Sequence, residues 1–508
     1  MSGFFFRIAA TVTAMAWALG AVAAPQEGQD APSMAATEML PQVEQIMHPQ
    51  RPQRDFLLQD VYVGLFALDV PADMDYMAIG ADVMLNNYDY LEQALAAGGG
   101  PTRDQYDVPE NHYQDGEPLK LNIQVDGKDF VFACRWLDVD DCVAQTLARK
   151  ADVAALVERN KALLQRYVAI QRLPNYGGYF YRVIDRLPSY HYALRLSELR
   201  LAQALVALDA GDADTAFALL QAEADFARRM LVQEKTLIGK MVAINEVYTV
   251  YHTLSVLLDS PQMRPYLHDE RLQALIAPLS VDEQKAMVEG FAGERNFMMY
   301  TLWLYNVGVE EELAQGPQGV VNWLVVQASY DPEASENLIF LTMQPMLDRA
   351  ALSMDEVADL YARDELPAPG QARRAVFDAQ MALQNERRQN GELVPSNWLV
   401  EQGIGDTLDT FDVYLNRFYD VHSYLMLVHT KYQLVSAGVR AAQADAFMRD
   451  TALRAYHPIT REPFVWDAQA QTLSTAWIAQ QLPTGARGSN QNPDPMLRNA
   501  VHLRLADQ

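Results

Sequence analysis

The chain holds 508 residues, half of them hydrophobic, enough for a large core and two or three domains. Asp and Glu number 66 against 40 Lys and Arg, a formal net charge of −26. So acidic a chain repels phosphate backbones and anionic headgroups, which argues against nucleic acid as a partner and for solubility rather than for any activity.

Met1 to Arg7 carry one positive charge, Ile8 to Leu19 run without a charged residue, and Ala21-Val22-Ala23 supplies the small residues a signal peptidase accepts. This pattern predicts a secretory signal over residues 1–23, because an apolar core of about a dozen residues is too short to span a bilayer. Cleavage is expected between Ala23 and Ala24, since a cut one residue later leaves Pro25 directly after the break; an uncleaved anchor is the other reading. There is no Cys near the cut and no Arg-Arg pair, which points away from a lipoprotein and from the folded-protein export route. No later segment reaches about 18 clean apolar residues. The mature chain is therefore expected to be periplasmic or secreted, with no stable membrane insertion.

Residues 24–54 are rich in Pro, Gln and Met and read as a mobile leader with one helical turn near Glu44. Residues 55–150 read as a small α+β cap. Its helices, Asp60 to Ala67 and Asp75 to Ala97, stop at Gly98-Gly99-Gly100-Pro101. A hairpin is expected from Leu119–Val125 and Lys128–Ala133 about Asp126-Gly127, whose Gly tolerates positive φ. Cys134 and Cys142, eight residues apart in an exported chain, predict a local disulfide; a redox pair is more usually spaced Cys-x-x-Cys. Asp138, Asp140 and Asp141 between them lack the Gly and distal Glu of a calcium loop and read as a solvated acidic turn.

Residues 151–456 shift to a 3.6-residue period and predict a mainly α domain of stacked helical hairpins, an α-α superhelix-like architecture. Leu194, Leu201, Leu205 and Leu208 mark one helix face, Gly211-Asp212 breaks it, and Ala216, Leu220, Ala224, Ala227 and Leu231 mark the next. This unit resembles a single tetratricopeptide-type hairpin, with no second copy in fixed register. Ser280 with Glu283, and Ser353 with Glu356, are capping boxes that predict helix starts. Val320 to Val326 fits either a strand or a buried helix, and Thr407 to Gly438 carries the longest helical pattern. Residues 457–508 read as an irregular tail with a short hairpin, Pro463–Trp466 with Thr472–Trp477, and a last alternating piece near His502.

Three strings, Asp60-Val61-Tyr62-Val63-Gly64-Leu65, the Cys134 and Cys142 pair, and Thr236-Leu237-Ile238-Gly239-Lys240-Met241, resemble in their order uncharacterised exported helical proteins of Gram-negative bacteria. They cover under a tenth of the chain. The resemblance implies export and a helical fold but supplies no activity.

The sequence has no His-Glu-x-x-His, Gly-x-Ser-x-Gly, Gly-x-x-x-x-Gly-Lys or Gly-x-Gly-x-x-Gly motif, and nothing in it requires a metal or cofactor. His422 and His429, seven residues apart, rise about 10 Å along a helix, too far to share a metal by themselves, and read as packed core histidines. The segment Asn175 to Tyr192 concentrates Tyr176, Tyr179, Phe180, Tyr181, Tyr190, His191 and Tyr192 around Gly177-Gly178, rings suited either to stacking on a flat ligand or to filling gaps between helices. Lys240 and Glu246 interrupt a very apolar helix, and Glu289, Glu294 and Arg295 precede another, beside Gly290 and Gly293. Lys240 and Glu246 lie about 120° apart around the helix, so their partners must come from other helices. The expected site is a groove lined by Tyr179, Tyr181 and His191 against Lys240 and Glu246, with Glu289 and Glu294 nearby. Two functions follow. One is a non-enzymatic helical binding or scaffold protein for a peptide, protein or envelope component. The other is a carboxylate-dependent hydrolase or lyase of an envelope polymer.

Overall fold

The computed structural model describes residues 40–96, 116–135, 141–177, 187–312, 332–366, 369–391, 411–450, 453, 455–476 and 500–502. The predicted signal, Val320–Val326, and Tyr179, Phe180 and Tyr181 lie outside the described residues.

The architecture is mainly helical, as the periodicity predicts. Helices α1 (Pro41–Met47), α2 (Val61–Phe66) and α3 (Tyr76–Ala96) lead into α4 (Cys142–Ala148), α5 (Lys150–Arg159) and α6 (Lys161–Gln171). Three long antiparallel helices follow: α7 (Tyr190–Asp209), α8 (Ala213–Gln233) and α9 (Leu237–Leu258). Then come α10 (Met287–Glu312), α11 (Pro332–Ala350), α12 (Met354–Ala362), α13 (Pro369–Gln389) and α14 (Asp412–Ser436). Successive helices pack as neighbours, α7 on α8, α8 on α9 and α10 on α11, and α11 also packs on α13 past α12. Helix α9 also lies along α14, and both are buried on nearly every side. Their seam holds the Tyr248 and Tyr424 rings with centroids 4.5 Å apart, and Lys431 Nζ donates to Asp259 Oδ2 at 2.7 Å.

The punctuation between helices follows local chemistry. Helix α7 ends at Gly211, whose φ of +81° lets Asp212 N reach Ala207 O and Gly211 N reach Leu208 O, closing the open carbonyls of the last turn. Asp212 then caps α8 by accepting from Thr215 N at 3.1 Å. Ala216, Leu220, Ala224, Ala227 and Leu231 are all buried, as their spacing predicts. The Ser353 and Glu356 capping box opens α12. The Ser280 and Glu283 pair also exchanges both bonds, yet the turn after it is a 3₁₀ turn over Glu283–Lys285, and α10 starts only at Met287.

Several segments differ from their sequence reading. Residues 41–47 form α1 and dock rather than trailing as leader: Val43 and Met47, one turn apart, are buried, Leu40 N donates to Asn337 Oδ1 at 3.0 Å, and Tyr300 OH donates to Ile46 O at 2.6 Å. The hairpin at Asp126-Gly127 is shorter than predicted, pairing only β1 (Gln124–Val125) with β2 (Lys128–Asp129), through a turn with φ of +52° and +75°. At the other end β3 (Val465–Asp467), β4 (Thr472–Ser474) and β5 (Ala500–His502) form a three-stranded antiparallel sheet, so the alternating piece at His502 joins the hairpin. One hydrophobic cluster runs from Val43 to Val501 and takes in residues on both sides of position 150. Arg166 of α6 ties the two sides by donating to Leu68 O at 3.2 Å and Pro71 O at 2.7 Å.

Cys134 and Cys142 form the expected disulfide and are fully buried, and the turn Ala133–Arg135 packs on α9. A loop this short restricts the unfolded chain by about 2–3 kcal/mol. Replacing both cysteines with Ser is expected to lower the unfolding free energy in urea by at least that amount, and an unchanged midpoint would remove the staple from the stability account.

Candidate functional site

The densest polar chemistry lies where α8 turns into α9. Glu234 caps the end of α8 in an extended conformation, and its fully buried carboxylate accepts five hydrogen bonds. Tyr176 OH and Tyr190 OH reach Oε2 at 2.8 Å each. Lys235 N at 2.9 Å, with Thr236 N and Thr236 Oγ1 at 3.0 Å each, reach Oε1. Thr236 in turn caps α9, accepting from Gly239 N at 2.9 Å. Burial and the Glu234 charge push both tyrosines well above their usual pKa, so they stay protonated and donate.

One turn into α9, Lys240 bends back to the end of α8, where Nζ donates to Leu231 O at 2.6 Å and Val232 O at 2.9 Å. These carbonyls have no partner within their own helix, and an ammonium there opposes the negative end of the helix dipole. Burial lowers the Lys240 pKa to about 7, against the upward pull of Glu234 and Glu289. Because the unfolded value is near 10.5, the unfolded chain binds a proton that the folded chain does not across that window, so stability rises with pH from about 7 to 10.5. Lys240→Met is expected to flatten this slope. Urea titrations of both proteins between those limits check it, and parallel profiles would assign the slope elsewhere.

Asp60 approaches the same corner from the N-terminal side. It is fully buried, caps α2 through Val63 N at 3.2 Å, and accepts from Gly177 N. Burial raises its pKa to about 6, while the N–H groups of Gly177, Val63 and Tyr62 and the charge of Arg229 pull it down. Val61 N donates to Asn175 O at 2.9 Å, and Arg229 Nη2 reaches that same oxygen at 3.2 Å. Asp60 of the first string thus binds Gly177, while the neighbouring Tyr176 shares Glu234 with Thr236 of the last string, and the disulfide turn rests on α9.

A second buried network joins α6, α7, α8 and α9. Glu223 accepts from Tyr167 OH and Gln171 Nε2 at 2.9 Å each and from Arg200 Nε. Glu246 accepts from Ser197 Oγ, and its charge, after burial and Glu223, helps hold Tyr167 well above its usual pKa. Further along, Arg228 forms a two-pronged pair with Glu283, both contacts at 2.6 Å, and also reaches Tyr251 OH, Ala277 O and Pro278 O at 3.0 Å each.

Of the expected groove, Tyr179 and Tyr181 lie outside the described residues, and the side chains that are described take separate directions. Lys240 turns to α8 and Glu246 to Ser197 of α7, so the two part ways, each to another helix as the 120° separation requires. His191 is exposed on the first turn of α7, its ring 6.2 Å from that of Tyr192. Glu289 is exposed. Glu294 is half-buried, with its pKa raised to about 7 by burial. Among the described residues of the aromatic segment, Tyr176 and Tyr190 reach the α8–α9 corner.

The histidines have structural partners or surroundings. Burial lowers His422 to a pKa of about 4, while His429 Nδ1 faces Ile276 O at 3.2 Å and its Nε2 faces Gln433 Nε2 at 3.1 Å. Ser423 and His457 have the look of a nucleophile and base, with Oγ and Nε2 3.1 Å apart. The protons lie the wrong way. His457 Nδ1 accepts from Ile459 N and Thr460 N at 3.1 Å each, so the neutral ring carries its hydrogen on Nε2 and donates it to Ser423. Ser423 then donates to Tyr419 O at 2.9 Å, whereas activation of a serine needs an unprotonated nitrogen facing the hydroxyl. Among the described residues no three His, Cys, Asp or Glu side chains converge as a metal site, and no helix is long and apolar enough to cross a membrane.

Sequence reasoning missed Glu234, Glu223 and the Arg228–Glu283 pair. The signal for Glu234 was its position, an acidic residue followed by Thr236 between two apolar helices, which marks a helix-to-helix corner. Comparison with known protein families, with curated proteins and with solved structures gives no match.

Proposed function

We propose that the chain is an exported, soluble periplasmic protein that acts without catalysis, as a helical binding or scaffold protein for a peptide, protein or envelope component. One observation carries this reading. The charges that interrupt the apolar helices, Glu223, Glu234, Lys240 and Glu246, are spent on bonds between helices, with at most 4% of each residue exposed. Groups so enclosed rigidify a scaffold and offer a substrate no approach. Export rests on the N-terminal signal pattern, and the buried disulfide suits an oxidising compartment.

Crosslinking in the periplasm, affinity capture and mass spectrometry test the binding reading, and N-terminal sequencing tests cleavage before Ala24. Recovery of a specific envelope partner, with a mature chain starting at Ala24, is the expected outcome. A chain retained with Met1 in a membrane fraction would overturn the location.

The alternative, carboxylate chemistry on an envelope polymer, draws on Glu294, whose pKa burial raises to about 7, within the range a general acid or base works in at neutral pH. Cleavage of isolated envelope polymer by wild-type protein, lost in a folded Glu294→Gln variant, would favour it over the scaffold.

A further inference from the structure

The chain doubles back on itself between Ala455 and Phe464, and one histidine holds the loop from inside. Phe464 N donates to Ala455 O at 3.1 Å, and Tyr456 bridges to Pro463. His457 N donates to Glu462 O at 2.8 Å, and Arg461 N returns to His457 O at 2.9 Å. The imidazole is enclosed, the residue being 1% exposed, and its Nδ1 accepts from two backbone donors, Ile459 N and Thr460 N. Its Nε2 faces Ser423 of α14 at 3.1 Å, and because Ser423 gives its own hydrogen to Tyr419 O, Nε2 is the donor. Both nitrogens are thus committed in the neutral ring. A second proton can enter only at Nδ1, where it would point at two N–H groups. The charged ring and the closed turn therefore exclude each other.

This loop is the root of a larger piece. Pro458 and Ile459 are buried beside it. Phe464, Trp466, Leu473 and Val501 of the strands that follow join the hydrophobic core, with β4 and β5 on α14 and β5 also on α9. The one sequence-distant bond of Trp466, from Nε1 to Ala441 O at 3.2 Å, involves no titrating group.

The charges around the loop do not favour a proton there. His422, next to Ser423 on α14, is a second buried imidazole, and its Nδ1 has no partner. After burial, His457 opposes charge on His422, as does Arg228, while Glu283, the ion-pair partner of Arg228, favours it. Arg349 of α11 lies over the Tyr419 ring, whose carbonyl takes the Ser423 hydrogen, and Asp412 is the acidic group felt at the Tyr419 hydroxyl. Arg461 pairs with Asp359 of α12 at 2.6 Å on the exposed side of the loop, and Glu462 is exposed. Among the described residues no carboxylate bonds to either imidazole.

We propose that the loop 457–462 is an acid-operated latch: a second proton on His457 opens its turn and releases residues 455–476 from α14 while the helical body stays folded. The latch works in any compartment and with any partner, so it stands apart from the binding reading.

Burial lowers both His457 and His422 to a pKa of about 4, below the ordinary 6.5. The open form therefore binds protons that the closed form refuses. Closure is fully stable above pH 6.5 and loses stability as pH falls from there towards 4. From pH 7.5 to 4.5, the share of His457 alone multiplies the open population about 70-fold.

Amide hydrogen exchange of the full chain at those two pH values, corrected for the intrinsic effect of pH on exchange, reads the opening. Amides of residues 457–474 should lose protection by about 70-fold or more, and those of α7 to α9 far less. His457→Asn is the decisive variant. Ahead of Pro458, an Asn side-chain oxygen can cap the same backbone N–H groups, and it takes no proton in this range. Its loss of protection should be smaller than that of wild type by about 70-fold, with any remainder belonging to His422. The comparison cancels Asp60, Glu294 and every other group that titrates in both proteins. If His457→Asn does not fold, the ring nitrogen-15 spectrum of wild-type protein decides. It should show the Nε2–H form at pH 7.5 and a second proton only as exchange of the segment accelerates. Equal loss of protection in wild type and variant, loss shared equally by α7 to α9, or a hydrogen on Nδ1 at pH 7.5 would each overturn the proposal.

Discussion

Replacing Glu234 with Ala is expected to lower the free energy of unfolding by about 3–5 kcal/mol, the range found when a buried charge is removed from its partners. Five donors converge on this carboxylate, two phenols, two backbone N–H groups and one hydroxyl, and Ala leaves all of them without an acceptor. Glu234→Gln should be milder. The amide oxygen can keep Lys235 N and Thr236 N, while the Tyr176 and Tyr190 hydroxyls can turn to accept from the amide nitrogen. Urea denaturation followed by circular dichroism measures both, and a loss below about 1 kcal/mol for Ala would mean the corner stabilises little.

The second large effect is expected at Gly293 of α10. A Cβ added there would sit 1.6 Å from Lys235 O, the backbone of the same corner. In an unobstructed helix Gly→Ala gains about 1 kcal/mol. Here the sign should reverse, because either α10 or the α8–α9 corner must shift, and overpacking of this kind costs about 3 kcal/mol or more. Gly290→Ala is the informative companion. Its Cβ would meet Lys240 Cγ at 2.6 Å, a flexible side chain that can move, so the loss should be smaller. The opposite order, Gly290→Ala worse than Gly293→Ala, would mean that α10 does not seat on this corner as described.

Local signals in the sequence translated well where a residue acts on its own neighbours. Asp60 caps α2, Gly211-Asp212 separates α7 from α8, Ser353 and Glu356 open α12, and the two cysteines pair. The 120° offset of Lys240 and Glu246 correctly sent them to different partners. It could not say which, because Leu231 O, Val232 O and Ser197 are chosen by how three helices cross rather than by spacing along one. The aromatic segment shows the same limit. Its richness was legible, yet Tyr176 and Tyr190 reach Glu234 because the chain passes the corner at those two positions, a fact of tertiary path. The hairpin at Asp126-Gly127 was overextended because alternation predicts a strand wherever it runs, while pairing continues only as far as both backbones stay adjacent. Helix α1 was read as leader since seven residues with a single apolar stripe carry too little signal without their partners.

Those partners have a consequence for the order of assembly. Leu40 bonds to Asn337 across 297 positions, and Tyr300 to Ile46 across 254, whereas the turn from α7 to α8 closes within five residues. A ribosome adding about 5–20 residues per second needs some 15–60 s to travel from the first of these contacts to its mate. Throughout that interval the apolar stripe of Val43 and Met47 has nowhere to dock, while α7 to α9 can already close on one another. A nascent-chain chaperone or a protease acting during this delay would meet α1 before any other part of the finished fold has claimed it.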